Sequence, residues 1–455
     1  MKDEAMKTLI QNGTIIDPAS RIHSKNNLLL EDGTVLAFTA DTPEADVVLD
    51  ASGKYVCPGF LDIHMHEDPY DAEHDRLIPD ITQSMLRMGV TTAIGGNCGI
   101  NTVDPAKYLD LMDRDGGAVN MGLLAGHTFF REAAGHGDKY SPITPEELKK
   151  LSAMTQDALE AGCFGVSFGI RYVPGISMEE MVETARGCKK AGKFVAAHVR
   201  DDAEFIFSAV NELFEIGRRL DVPVQNSHVG SMGGFGQMER LLEMMDRCRA
   251  NGMDLSGDCY PYYAFSTRIG ETTYDEGFLE RYHADYSVIE ICDGKYKGQR
   301  CDEAMFRELR AEAPRTITVC HVMKPEDVDM ALLHPNIMLA SDGLMSGGQG
   351  HPRAAGTFPR FLRNYVRTGR LSLDGAISKM TAMPAAKLGL HKKGTLRPGS
   401  DADILIFDLD TIADKATFDQ PNLPPEGIDY VLINGQIAMD HGNLINGRLG
   451  RSLRK

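Results

Sequence analysis

The 455-residue chain predicts a (β/α)8, TIM-like barrel carrying a small β-sandwich domain built from both termini. Three observations lead there. Apolar strand-like runs alternate with helical stretches through the middle of the chain. Short β segments, punctuated by Gly and Asn, crowd both ends. Histidine, cysteine and aspartate fall at the carboxyl ends of the predicted middle strands, where a barrel places its chemistry.

In chain order, residues 9–17 read as strand, turn and strand, and Glu31-Asp32-Gly33 is a hairpin signal between strands at 27–30 and 34–38. Candidate barrel strands follow at 59–66, 90–96, 120–127, 163–170, 194–200, 222–228, 253–260 and 336–341. Helical patterns separate them, as at 145–161 and 178–190, each with a glycine near its end. Such repeats also suit a doubly wound sheet. The strand ends decide for the barrel, because His66, Cys98, His127, His198, His228 and Asp342 all fall there. Between 263 and 336 the alternation breaks, which predicts a lid-like insertion around 264–335 with an extra strand at 316–322. Residues 402–408 and 430–433 return to β texture, the latter ending in Asn434-Gly435. The predicted division is 1–57 and 393–455 for the two parts of the β domain, and 58–392 for the barrel.

A net charge of -17 argues against nucleic acid and anionic membrane as partners. No apolar stretch approaches the ~20 residues a membrane span needs, and no segment resembles a signal peptide. Nine cysteines, odd in number and without framework spacing, suit a reducing cytoplasm.

The most informative segment is Pro58-Gly59-Phe60-Leu61-Asp62-Ile63-His64-Met65-His66. Side chains alternate along a strand, so His64 and His66 share a side and can share a metal ion. Zinc accepts imidazole nitrogen, thiolate and carboxylate, so His64, His66, Cys98, His198, His228 and Asp342 are all candidate ligands.

These residues sit in motifs that resemble the amidohydrolase superfamily and, more narrowly, the N-acyl-D-amino-acid deacylases. The resemblance runs through Gly96-Asn97-Cys98-Gly99, residues 165–175, Ala197-His198-Val199-Arg200-Asp201, residues 257–267 and Ser341-Asp342-Gly343. Its most specific stretch is His351-Pro352-Arg353-Ala354-Ala355-Gly356-Thr357-Phe358-Pro359-Arg360. It implies one tightly bound zinc on Cys98, His198 and His228. A second, weaker position would be framed by His64, His66 and Asp342, with Cys98 as a bridge. It implies a small-molecule substrate with an amide and a carboxylate, with a homo-oligomer left open. Attack by a metal-activated water would use Asp342 as general base and then acid.

For the substrate, the resemblance assigns Arg353 to the α-carboxylate, a pairing that suits a planar guanidinium. Tyr172, Tyr260 and Ser266 are candidate further contacts. One departure stands out. The family continues its sixth-strand Ser-His with His-Lys, whereas Ser227-His228 continues Val229-Gly230. Arg171 and Arg268, near strand ends, are candidates to compensate or to read an acidic side chain. The rival reading is a cyclic-amide hydrolase of the hydantoinase or dihydropyrimidinase type, which resembles its relatives in using a carboxylated lysine on the fourth strand. No lysine occurs in 163–170. A non-catalytic structural relative is the third reading, and such relatives lose ligands that this chain keeps.

Overall fold

The computed structural model describes residues 6–455, so the first five residues of the predicted segment 1–57 lie outside it. Eight parallel strands form in the predicted order: β1 (Phe60–Asp62), β2 (Val90–Gly95), β3 (Asn120–Leu123), β4 (Gly165–Gly169), β5 (Phe194–His198), β6 (Val224–Asn226), β7 (Leu255–Cys259) and β8 (Ile337–Leu339). A short extension of β3, Ala125–Gly126, carries its pairing to β4. Closure comes from a parallel bridge between Met65 and Gly343, with the Asp342 N–H donating to the His64 carbonyl at 2.8 Å. The barrel is thus a TIM-type barrel, and its strands are almost wholly buried because both faces are covered, polar Asp62, Gln225, Asn226 and Asp258 included.

Two local differences from the sequence reading have physical causes. The helix expected over 178–190 breaks at Arg186 into Met178–Ala185 and Gly187–Ala191. A Cβ at Gly187 would lie 2.2 Å from Gln156 Oε1, so the glycine allows close packing on helix Pro145–Glu160. The strands are also shorter than read. The sixth ends at Asn226 because His228 has φ +34°, outside the extended region.

Strands from both termini meet in shared sheets. Tyr55–Pro58 pairs with Ile404–Phe407, joining N- and C-terminal segments in one seven-stranded sheet. Lys7–Gln11, Asn27–Glu31, Thr34–Thr39 and Val47–Asp50 make a separate four-stranded sheet. One apolar cluster, including Ile10, Leu28, Val56, Ile404 and Leu432, draws on strands of both sheets. The predicted hairpin turns at Asp32-Gly33 and Asn434-Gly435 have positive φ at both residues, as two-residue turns of this handedness require.

The insertion after β7 contains a three-stranded antiparallel sheet, Phe265–Arg268, Ile317–Cys320 and Ile289–Ile291 in spatial order. The predicted extra strand is its central member. Tyr282 of this insertion donates to Asp202 Oδ2 at 2.6 Å, and Thr272 Oγ1 donates to the Arg171 carbonyl at 2.6 Å. These bonds fasten it over the loops that follow β4 and β5.

Candidate metal centre

At the carboxyl ends of the barrel strands, donor atoms of His64, His66, Cys98 and Asp342 lie within 4.8 Å of one another, as do those of Cys98, His198 and His228. Cys98 belongs to both groups. Its Sγ is 3.5 Å from His64 Nε2, 3.5 Å from His228 Nε2 and 4.0 Å from His198 Nδ1. Asp342 Oδ1 is 3.2 Å from His66 Nε2 and 3.5 Å from His64 Nε2. All six predicted ligands are therefore brought together.

The backbone that delivers them is unusual. Cys98, His228 and Asp342 have φ of +54°, +34° and +49°, a region costly for residues with a Cβ. Each sits just beyond a strand, where the chain turns sharply and aims its side chain over the barrel axis. Gly96 and Gly99, at φ +75° and +78°, frame the Cys98 turn. A Cβ on Gly96 would stand 2.1 Å from the Leu124 carbonyl oxygen.

Burial and neighbouring charge set the protonation states. Burial holds His228 down at about 4, and burial, then His228, holds His198 well below the usual imidazole range. Both rings are neutral near pH 7 and keep a lone pair for a metal. Burial opposes the charge on Asp342, yet Arg353, then His66, holds its carboxyl well below the usual range. Burial pushes the Cys98 thiol up, so a thiolate in this position needs a cation beside it. A soft sulfur, the neutral imidazoles of His198 and His228 and an ionised carboxylate, buried together, form a donor set that fits zinc.

Three partners escaped the sequence reading. Asp258, on β7, is 1% exposed, with Oδ1 3.1 Å from His64 Nδ1. The same oxygen accepts the His228 N–H at 2.9 Å. Ser231 Oγ lies 2.9 Å from His228 Nδ1; its place three residues on, one helical turn away, was the available signal. Asp62 Oδ1 accepts the N–H groups of His64 and Ser341, tying the first and last strands. Nothing in the sequence spacing marked Asp258, because its partners come from β1 and β6.

A cavity of about 600 Å³ opens above the cluster. Arg353 lines it, 2% exposed, with Nη2 2.9 Å from Asp342 Oδ2 and its Cζ 4.7 Å from the centre of the Tyr260 ring. Its Nε and Nη1, like the Tyr260 hydroxyl, are buried without a partner among the described residues. Tyr172 packs its ring 4.7 Å from that of His198. Ser266 reaches the wall but spends its hydroxyl on the Thr318 carbonyl at 2.9 Å. Arg268 is exposed at the rim. Arg171 does not line the cavity; its Nη1 pairs with Asp201 Oδ1 at 2.6 Å. His127 is also away from the cluster, 2.8 Å from Glu180 Oε1 beside Arg131. The expected lysine position, Gly230, has no room for a side chain, since a Cβ would lie 2.6 Å from Cys259 Sγ.

Comparison with known proteins agrees with this geometry. Two models of the amidohydrolase family match residues 55–223 and 334–439. The D-aminoacylase of Alcaligenes xylosoxydans xylosoxydans is 33% identical over 98% of this chain and 97% of its own length. An N-acyl-D-aspartate deacylase of the same organism is 33% identical over 95% of this chain and 92% of its own. The crystal structure of N-acyl-D-glutamate deacylase from Bordetella bronchiseptica, complexed with zinc and a phosphonate mimic of the tetrahedral intermediate, superposes with a TM-score of 0.88. It is 30% identical over 99% of this chain and all of the other. A dihydropyrimidinase from Brevibacillus agri, 17% identical with a TM-score of 0.65 over 99% of both chains, shares the fold alone. The chain belongs to the amidohydrolase family and, within it, to the D-aminoacylase group.

Proposed function

We infer that this protein is a zinc-dependent amide hydrolase that converts an N-acyl-D-amino acid to the D-amino acid and a carboxylate. The carrying observation is the meeting of two donor groups at Cys98 Sγ, on the floor of a cavity whose wall holds the buried Arg353. In this reading Cys98, His198 and His228 hold one zinc tightly. His64, His66 and Asp342 would help hold a second, weaker one, with Cys98 common to both donor groups.

Zinc bound there supplies a Lewis acid and brings the pKa of water toward neutrality. The protein's own groups do the rest. Asp342, held ionised by Arg353 and His66, takes the proton from the attacking water and passes it to the leaving amine nitrogen. Arg353 turns its unpartnered Nε and Nη1 to the α-carboxylate, with the Tyr260 hydroxyl as a further donor. The insertion sheet limits water at the mouth.

The cyclic-amide reading is disfavoured by β4, which carries no lysine to bridge two metals. The same account divides the chain into a β-sandwich from 1–57 and 393–455 around a barrel at 58–392, supported by the shared apolar cluster. No described helix is long and apolar enough to cross a membrane, and the nine cysteines are unpaired, which supports a cytoplasmic setting.

The test is turnover by zinc-loaded protein of paired D- and L-N-acetyl amino acids, with hydantoin and dihydrouracil alongside. Hydrolysis of the D series is the expected result. Ring opening without deacylation overturns it.

A further inference from the structure

Arg353 opens the helix Arg353–Phe361, although a cation in the first turn has the helix dipole against it. It is also buried, and Nε and Nη1 of its guanidinium have no partner among the described residues. Asp342 and the Tyr260 ring hold the far end of the side chain. The backbone end is held by His351.

His351 is 1% exposed and stands behind the cavity wall rather than in it. The Arg353 N–H donates to its Nδ1 at 3.0 Å, and its Nε2 faces the Ala264 carbonyl at 3.1 Å. A backbone N–H only donates and a carbonyl only accepts, so the ring proton is on Nε2. Burial, then Arg353, holds the ring well below the usual imidazole range, and it stays neutral. Tyr262 and Phe418 meet it edge-on, with ring centroids 5.0 Å and 5.1 Å away, so packing and hydrogen bonding agree on one orientation.

The first bond alone is a helix cap, because it satisfies the N–H of the first helical residue. The second reaches further. Ala264 immediately precedes the first insertion strand, Phe265–Arg268, and the segment leading to it is fastened to the same helix. Arg360 Nε donates to the Pro261 carbonyl at 2.8 Å, and the Tyr262 hydroxyl donates to the Pro352 carbonyl at 3.3 Å. Gly356 makes room for that hydroxyl, since a Cβ there would lie 2.4 Å from it. One imidazole thus joins the residue that carries the guanidinium to the root of the insertion.

We propose that His351 is a positioning residue for substrate binding: through its two ring nitrogens it sets Arg353 against the insertion root and so fixes where Nε and Nη1 meet an α-carboxylate. This rests on the deacylase reading of Arg353. A guanidinium pairs with a carboxylate in a planar fork, so a shift of about 1 Å in the Arg353 backbone is enough to weaken the pair. His351 belongs to neither donor group, so its loss acts on the carboxylate end of the substrate and leaves the zinc in place.

The experiment uses zinc-loaded wild type, His351→Asn and His351→Gln. The asparagine keeps an acceptor near Nδ1 and drops the bond to Ala264, whereas the glutamine keeps a donor near Nε2 and drops the bond to Arg353. N-acetyl-D-alanine and N-acetyl-D-glutamate are each compared with their α-carboxamides. Both variants should keep wild-type zinc and raise KM for the acids roughly tenfold with kcat little changed, while kcat/KM for the carboxamides stays the same. Unchanged KM, equal loss on acid and carboxamide, or a wild type with no preference for the acids overturns the positioning role. If one variant fails to fold, the other decides. Where wild type turns over neither acid, calorimetric binding reads the same contrast. A preference for acid over carboxamide that the variants lose then removes the deacylase reading and leaves the positioning role standing, and unselective binding overturns both.

Discussion

Asp258 Oδ1 lies 3.1 Å from His64 Nδ1 and accepts the His228 N–H at 2.9 Å, so one carboxylate steadies residues from both donor groups. Burial disfavours charge on His64, yet Asp258, then Cys98, raises it well above the usual imidazole range. With Nδ1 turned to Asp258, Nε2 is the atom left for a metal. Asp258→Asn is expected to weaken zinc binding about 10- to 100-fold, with activity recovered in excess zinc. Chelator competition measures this, and unchanged affinity contradicts the positioning role.

Cys98 is shared by both donor groups, whereas His66 belongs to one. Cys98→Ala should purify with little zinc and little activity. His66→Asn should keep about one equivalent, because Cys98, His198 and His228 remain. Metal analysis of the two variants side by side decides it; equal zinc loss would remove the distinction between tight and weak positions.

Lys379 gives a pH-dependent contribution to stability away from the metal. It is 3% exposed, donates to the Ile337 carbonyl at 2.6 Å and to the His334 carbonyl, and burial lowers its pKa from 10.5 to about 8. Between those values the unfolded chain binds the proton and the folded chain does not, so this group makes stability rise with pH. The burial cost is fully present below about 8 and disappears above 10.5, a swing of order 3 kcal/mol. Lys379→Met removes the swing. Thermal midpoints from pH 7 to 10 should show wild type gaining on the variant as pH rises, and a constant difference contradicts the assignment.

The barrel was legible because its strands alternate with helices and end in residues that have no reason to be apolar. His64 and His66 bring donor atoms into one cluster even though β1 stops at Asp62 and the chain bends at Ile63 and His64 before the Met65–Gly343 bridge. Arg171 shows the limit of the same argument. A strand-end position fixes where a side chain starts, and the pairing with Asp201 fixes where it points. Asp258 was hidden for a related reason, since a buried carboxylate on β7 gains its meaning only when β1 and β6 arrive beside it.

The most direct test of the account measures zinc content and turnover of Asp342→Asn together. Asp342 contacts His66 and Arg353, and the tight-zinc group does not include it. The account predicts that the variant keeps about one zinc while kcat on an N-acetyl-D-amino acid falls about 10²- to 10⁴-fold, the range of lost proton-transfer catalysis. Retained zinc with kcat reduced only a few-fold would contradict the role of Asp342 as the group that moves the proton.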